Sequence, residues 1–206
     1  MIGILGKKLG MLRIFDEEGN MVPVTVIDVE GCYVVQKKLK ETDGYNALQL
    51  GIGEKKRVNK PLEGHFKKAG VPYRQRLVEI RTKNTPEFNP GEKLNADIFK
   101  EGDLVDVTGW TKGRGFTGGV KRWNWSGGPR SHGSMFHRRI GSLGGTTDPG
   151  RPWKGRTLPG HYGTERVTVK KLKVVKVDKE KNLLMVKGAV PGPKGGVVVI
   201  RKEEGK

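Results

Sequence analysis

The chain has 206 residues, enough for one domain with an appendage or for two small domains, and too few for a large multi-domain enzyme. Forty Lys and Arg against 22 Asp and Glu leave a formal charge of +18 and a pI near 10.1, a field that favours a polyanionic partner, nucleic acid first. No stretch approaches the roughly 18 apolar residues of a spanning helix. No basic amphipathic helix of useful length is visible, so a membrane partner is not expected, and a single cysteine excludes an intramolecular disulfide and any Cys-pair zinc motif.

In chain order, the opening Met1-Ile2-Gly3-Ile4-Leu5-Gly6-Lys7-Lys8 puts its basic pair after a very short apolar run, the reverse of a secretory signal, so a cytoplasmic site is expected. Met11 to Phe15, the turn Asp16-Glu17-Glu18-Gly19-Asn20 and Val22 to Val29 predict a hairpin, with Pro23 near a strand start or an edge. Cys32, between Gly31 and Tyr33, reads as a small buried hydrophobe. Tyr33 to Lys38 and Tyr45 to Gly51, parted by Glu41-Thr42-Asp43-Gly44, predict a second hairpin. Pro61 to Ala69 is the best helix, with Leu62, Phe66 and Ala69 apolar and Gly70 as its stop.

Leu77 to Arg81 and Leu104 to Val107 are short alternating strands, and Val167 to Val169, Leu172 to Val177, Leu183 to Val186 and Val197 to Ile200 give four more. Strands at intervals of about ten residues with glycine turns predict a mainly β fold. The expected body is a small closed β-barrel with one short helix, its strands drawn from residues 1–106, which carry a helical and hairpin insertion, and from residues 165–206. A long irregular basic extension, residues 107–164, is expected to be inserted between two barrel strands.

That extension carries ten cations, Lys112, Arg114, Lys121, Arg122, Arg130, Arg138, Arg139, Arg151, Lys154 and Arg156, against Asp148 alone, so half the net charge lies in little more than a quarter of the chain. It also holds all four tryptophans (Trp110, Trp123, Trp125, Trp153), three of the four histidines (His132, His137, His161) and 15 of the 32 glycines. Its aliphatic and Met residues are only Val107, Val120, Met135, Ile140, Leu143 and Leu158, too few for a core. A disordered linker would be poor in aromatics and a Gly/Ser spacer would lack the arginines. An arm that orders against structured RNA fits the combination: glycine lets backbone approach phosphates, Lys and Arg neutralise them, and Trp or His stacks on a base or packs on a ribose. The candidate RNA-binding residues are the ten cations together with Trp123, Trp125, Trp153, His132, His137 and His161.

Motifs of other chemistries fail on context. Gly113-Arg114-Gly115-Phe116-Thr117-Gly118-Gly119-Val120 fits G-x-G-x-x-G-x-V, but no carboxylate lies about 20 residues on to hold a ribose, and Asp148 is the only acid before Glu165, so a kinase set is absent. Gly150-Arg151-Pro152-Trp153-Lys154-Gly155-Arg156-Thr157 comes within one residue of a Walker loop, with Arg156 where lysine is required, and Leu158-Pro159-Gly160 is a poor helix opening. His132 and His137 are five apart with no Cys or carboxylate beside them, so neither a zinc site nor any metal or cofactor is expected. Ser131 and His132 are neighbours in sequence with no acid to orient the imidazole, which does not make a triad. No catalytic residue and no small-molecule substrate are expected.

The opening Gly3-Ile4-Leu5-Gly6-Lys7-Lys8-Leu9-Gly10-Met11, Lys112-Gly113-Arg114-Gly115-Phe116, Lys121-Arg122-Trp123-Asn124, Ser131-His132-Gly133-Ser134, Pro149-Gly150-Arg151, Gly160-His161-Tyr162-Gly163 and Asn182-Leu183-Leu184 through Lys187-Gly188-Ala189-Val190-Pro191-Gly192 occur in order over nearly the whole chain. This string resembles the bacterial form of the L-three family of large-subunit ribosomal proteins. The resemblance implies a translation-factor-like barrel body, direct binding to large-subunit ribosomal RNA near its 3′ end, a part in early subunit assembly, and an extension toward the peptidyl-transferase centre. On this sequence the extension matches Val107 to Thr164, with its tip between Ser131 and Gly150. Ribosomal proteins L-fourteen and L-nineteen are the implied neighbours, and the implied role is structural, not enzymatic. Many bacterial relatives carry a methylated glutamine before the Pro-Gly pair, whereas Gly144-Gly145-Thr146-Thr147-Asp148 contains none, so that modification is not carried over.

Overall fold

Strand-forming β-branched runs dominate both ends of the chain, and the computed structural model, which describes residues 2–82 and 88–202, turns them into twelve strands. Met1 and residues 203–206 of the expected tail lie outside the described residues. In order the elements are β1 (Ile2–Phe15), β2 (Met21–Asp28), β3 (Cys32–Lys38), α1 (Lys40–Asp43), β4 (Ala47–Glu54), α2 (Lys60–Ala69), β5 (Arg74–Arg81) and β6 (Lys93–Leu94). A 3-10 turn, Ala96–Ile98, leads into β7 (Leu104–Trp110), and then follow β8 (Gly115–Thr117), α3 (Gly119–Trp123), β9 (Gly160–Tyr162), β10 (Arg166–Asp178), β11 (Leu183–Lys187) and β12 (Val197–Lys202).

Six strands pair antiparallel in the order β1-β12-β7-β10-β11-β2, with β2 returning to β1. A separate open sheet runs β5-β4-β3-β6, and β8 pairs with β9 alone. The expectation of one small closed barrel of translation-factor type with one short helix and an irregular extension is therefore corrected: among the described residues the strands are spread over three sheets, and there are three α-helical segments. The reason is physical. Tyr33 to Lys38, Tyr45 to Gly51 and Leu77 to Arg81 alternate like any half-buried strand, and a two-residue period says which face is buried, not which neighbour is paired. The expected loop before Gly44 is a helical turn, α1, closed by Gly44 at φ 79° donating to the Lys40 carbonyl.

Two strands are longer than their apolar patterns suggest. In β1, Gly3 to Gly6 is buried on both faces, and a Cβ on Gly6 would lie 2.4 Å from Ile27 Cγ2. Glycine here is a packing requirement that a hydrophobicity pattern reads as a gap. The expected strands Val167–Val169 and Leu172–Val177 are one strand, β10, whose register against β7 shifts between Val169 and Leu172. Lys171 takes φ 54° at that bulge, and its N–H donates to Asp106 Oδ1 at 2.9 Å.

Helix α2 follows its sequence signals: the Asn59 side chain accepts from the Leu62 N–H, Pro61 stands in the first turn, and Gly70 ends the helix at φ 66°. Phe66 is its buried anchor. The core is one continuous cluster that joins Ile4, Leu5, Ile27, Val107, Leu184 and Ile200 of the six-stranded ring to Cys32, Val34, Leu50, Ile80 and Phe99 around the open sheet. Burial pushes the Cys32 thiol up to about 12. The open sheet also carries a polar chain in which Lys38 pairs with Glu79 at 2.8 Å, and the Tyr45 hydroxyl and Gln49 donate to the same carboxylate. The bond from Lys38, followed by that from Tyr45, holds the Glu79 carboxyl below its ordinary value.

Strands β7 and β10 pair directly, Trp110 opposite Arg166, so the intervening residues leave and rejoin the body at adjacent positions. The chain divides into two compact units, residues 1–111 with 166–206, and residues 112–165.

Candidate nucleic-acid interface

Within residues 112–165 only Thr117, Gly119 and Gly163 are buried. This unit has no apolar core, so its local order rests on backbone pairing, close glycine contacts and side chain to carbonyl bonds. Its base is the β8–β9 ribbon, in register Gly115 to Tyr162, Phe116 to His161 and Thr117 to Gly160, extended by the Arg114 N–H donating to the Tyr162 carbonyl at 2.9 Å. Gly163, at φ 82°, lies so close to the Lys112 carbonyl that a Cβ would sit 2.1 Å from its oxygen.

The Lys121-Arg122-Trp123-Asn124-Trp125 stretch forms a clamp. Asn124, at φ 59°, ends α3 and turns the chain back. Arg122 Nη1 and Trp123 Nε1 both donate to the Leu158 carbonyl at 2.8 Å, and the guanidinium lies 4.9 Å from the centre of the Trp123 ring. Trp125 packs against Gly119, where a Cβ would fall 2.1 Å from the indole, and its Nε1 donates to Thr157 Oγ1 at 3.3 Å. Three residues read from sequence as RNA contacts thus also fasten α3 to the segment leading into β9.

A second closed loop follows. The Gly128 N–H is shared between the Phe136 and His137 carbonyls, at 3.1 Å each, and any side chain on Gly127 or Gly128 would strike those carbonyls. His137 Nδ1 lies 2.9 Å from the Pro129 carbonyl, which can only accept, so Nδ1 is the donor of this bond. His132, at φ 56°, stands at the turn between these strands of chain. Further along, Arg156 Nη2 donates to the Ser142 carbonyl at 3.1 Å.

Apart from Arg122 and Arg156, which bond the Leu158 and Ser142 carbonyls, no cation of this unit donates a side-chain hydrogen bond to the framework among the described residues. Lys112, Arg114, Lys121, Arg130, Arg138, Arg139, Arg151, Lys154 and Arg156 are all exposed, and Arg122 is half-buried. Arg130, Arg138 and His137 line an open pocket of about 410 Å³ with Val120, Ser126 and Gly128. The exposed aromatic candidates are Trp153, at 66 %, Trp123, His132, His137 and His161, whereas Trp125 is half-buried. Sequence reasoning missed Phe116, which is 81 % exposed and directly opposite the exposed His161 on the ribbon. It was hidden inside a glycine motif weighed for nucleotides, and only strand pairing sets it beside a histidine. Met135 and Phe136, not among the sequence candidates, are likewise exposed.

The glycine run 113–120 builds β8 and the start of the five-residue α3, not a βαβ phosphate loop. Among the described residues no group of three or more His, Cys, Asp or Glu could hold a metal, and no helix is long and apolar enough to cross a membrane. What the arrangement offers is a set of exposed cations and flat rings on a backbone brought close to the surface by glycine. Such a surface can neutralise phosphates and stack on bases or sugars.

Comparison with known sequences points the same way. The profile of the family described as Ribosomal protein L3 matches residues 78–183. "Large ribosomal subunit protein uL3" of Thermotoga petrophila is 58 % identical over 199 residues, covering 96 % of this chain and 95 % of the relative. The proteins of the same name from Thermosipho africanus and Pseudothermotoga lettingae are 55 % and 54 % identical, with 96 % of this chain covered in each case. Matches of this extent span both the body and the cationic unit, and with them the chain belongs to the ribosomal protein L3 family.

Proposed function

We propose that this chain is a structural constituent of the large ribosomal subunit, not an enzyme, which binds large-subunit ribosomal RNA directly and works in the cytoplasm as part of the ribosome. The observation that carries the reading is the unit of residues 112–165, in which nine exposed cations and a set of exposed rings stand on a frame with only three buried residues. Family membership supplies the particle in which that surface is used.

In the finer reading, residues 107–164 form the RNA-binding arm between the two parts of the body, residues 1–106 and 165–206. The cations offset phosphate repulsion that resists close helix packing, and Trp153, Trp123, His132, His137 and His161 stack or hydrogen-bond on unpaired nucleotides. Trp125 supports Gly119 and α3. The arm stabilises RNA near the peptidyl-transferase centre, the chain supports early subunit assembly, and the protein neighbours include L-fourteen and L-nineteen.

Hydroxyl-radical footprinting of the full chain on large-subunit RNA tests this. Discrete protected backbone segments are expected, with a subset lost in an Arg138→Ala/Arg139→Ala variant. Uniform cleavage with and without the protein would overturn it.

A further inference from the structure

The ribbon formed by the outer halves of β1 and β2 leaves the six-stranded ring. Strand β1 pairs with β12 only through Lys7, and β2 pairs with β11 only from Val24 onward. Beyond Lys7 the only partner of β1 is β2, and from Arg13 opposite Pro23 to Phe15 opposite Met21 the two strands pair only with each other. A two-stranded ribbon is marginal in water unless one of its faces is covered. This one is apolar on both: Phe15 is 72 % exposed, Leu12 56 %, Met21 54 % and Met11 48 %.

Its charge is opposite to that of the rest of the molecule. The turn at its tip is Asp16-Glu17-Glu18, the longest run of acids in a chain of net charge +18, and Arg13 is the only cation from Met11 to Val24. The acids bond only to neutral donors of the turn, such as the Asn20 N–H to Asp16 Oδ1 at 2.7 Å and Asn20 Nδ2 to Glu18 Oε2 at 3.0 Å, and no ion pair neutralises them among the described residues. RNA is therefore repelled from the apolar side chains beside them, since Phe15 and Met21 lie well inside a Debye length of about 8 Å from the turn.

We propose that this ribbon docks a basic protein surface, whose apolar side chains cover Phe15, Met21 and Leu12 while its Lys and Arg residues meet Asp16, Glu17 and Glu18. The proposal rests on the chain's place in a ribonucleoprotein, where proteins of that charge are abundant, and it assigns one end of the body to protein rather than RNA. Burial of the apolar side chains supplies the affinity, and the acidic turn supplies orientation and discrimination against nucleic acid.

The test places a photo-reactive residue, Phe15→p-benzoylphenylalanine, in the full chain and isolates large ribosomal subunits that contain it. Irradiation is expected to join position 15 to one basic ribosomal protein, at a peptide rich in Lys or Arg. An Asp16→Lys/Glu17→Lys/Glu18→Lys variant is expected to lower that yield by about tenfold or more, while binding of the isolated chain to large-subunit RNA is not weakened. A crosslink to RNA, to a second copy of the chain or to nothing overturns the proposal, as does a yield indifferent to the charge reversal. Failure of the chain to enter the subunit at all would instead sink the ribosomal reading on which the proposal stands.

Discussion

At the scale of single residues, burial and bonding separate side chains that look alike in sequence. Cys32 is fully buried, and loss of solvation raises its thiol from 9.0 to about 12. The folded chain at pH 9 is therefore expected to resist iodoacetamide while the urea-unfolded chain reacts, as mass spectrometry would register. Because the folded value is raised for an acid, the protonated thiol favours the fold, and stability is lost as pH rises past 9.0. Glu79 has the opposite sign. Its folded carboxyl lies below its ordinary value, so its stabilising effect is present above 4.5 and is lost as pH falls through the folded value. Denaturant titrations of Glu79→Gln should accordingly show a deficit at neutral pH that shrinks in acid, and a pH-independent deficit would contradict the assignment.

The tryptophans divide in the same way. Trp153→Ala is expected to leave the free chain's circular dichroism unchanged and to weaken RNA binding by about 1 to 3 kcal/mol, the worth of a stacked ring. Trp125→Ala should loosen α3 first, because the indole fills the space over Gly119. The sequence singled out Trp123, Trp125 and Trp153 as one class of RNA contacts. Composition could identify aromatics in a cationic segment, but only the structure sets Trp123 and Arg122 on one carbonyl and leaves Trp153 without such a bond among those observed.

At the scale of elements, local signals were legible where they are local. Pro61 and the stop Gly70 delimit α2 as read, with the Asn59 cap added by the structure, and Asp16 to Asn20 is the turn of the first hairpin. The start of β1 was not legible, because Gly3 and Gly6 break the apolar pattern for a reason that lies across the sheet, in Ile200 and Ile27. Gly6→Ala is expected to destabilise the body by about 1 to 3 kcal/mol through overpacking, measured by urea unfolding; a neutral effect would show that Ile27 yields freely. Sheet membership was not legible either, since Tyr33 to Lys38 follows the same alternation that a strand of the six-membered ring would show. The small β8–β9 ribbon escaped notice because three-residue strands such as Gly115-Phe116-Thr117 carry too little periodicity to rise above their glycines.

At the scale of the whole molecule, charge and apolar content are partitioned. The core cluster lies in residues outside the cationic unit, which keeps cations exposed and buries almost nothing. Amides of residues 112–165 in the free chain are expected to exchange faster than those of β7 and β12, and to gain protection on RNA. Equal protection in the free protein would mean that the unit holds its shape without a partner. This partition was the most legible feature of all, because net charge and aliphatic content are sums over residues and need no knowledge of pairing.

The dependence of RNA affinity on salt tests the account most directly. If the cationic surface binds through roughly six to ten phosphates, raising salt from about 50 to about 200 mM should weaken binding by about 10³ to 10⁵, and Arg138→Ala/Arg139→Ala should lower the slope of log affinity against log salt by about 1 to 2. Affinity that stays flat across that range, or a slope unmoved by loss of the two arginines, would contradict the claim that phosphate neutralisation by this unit holds the protein on RNA.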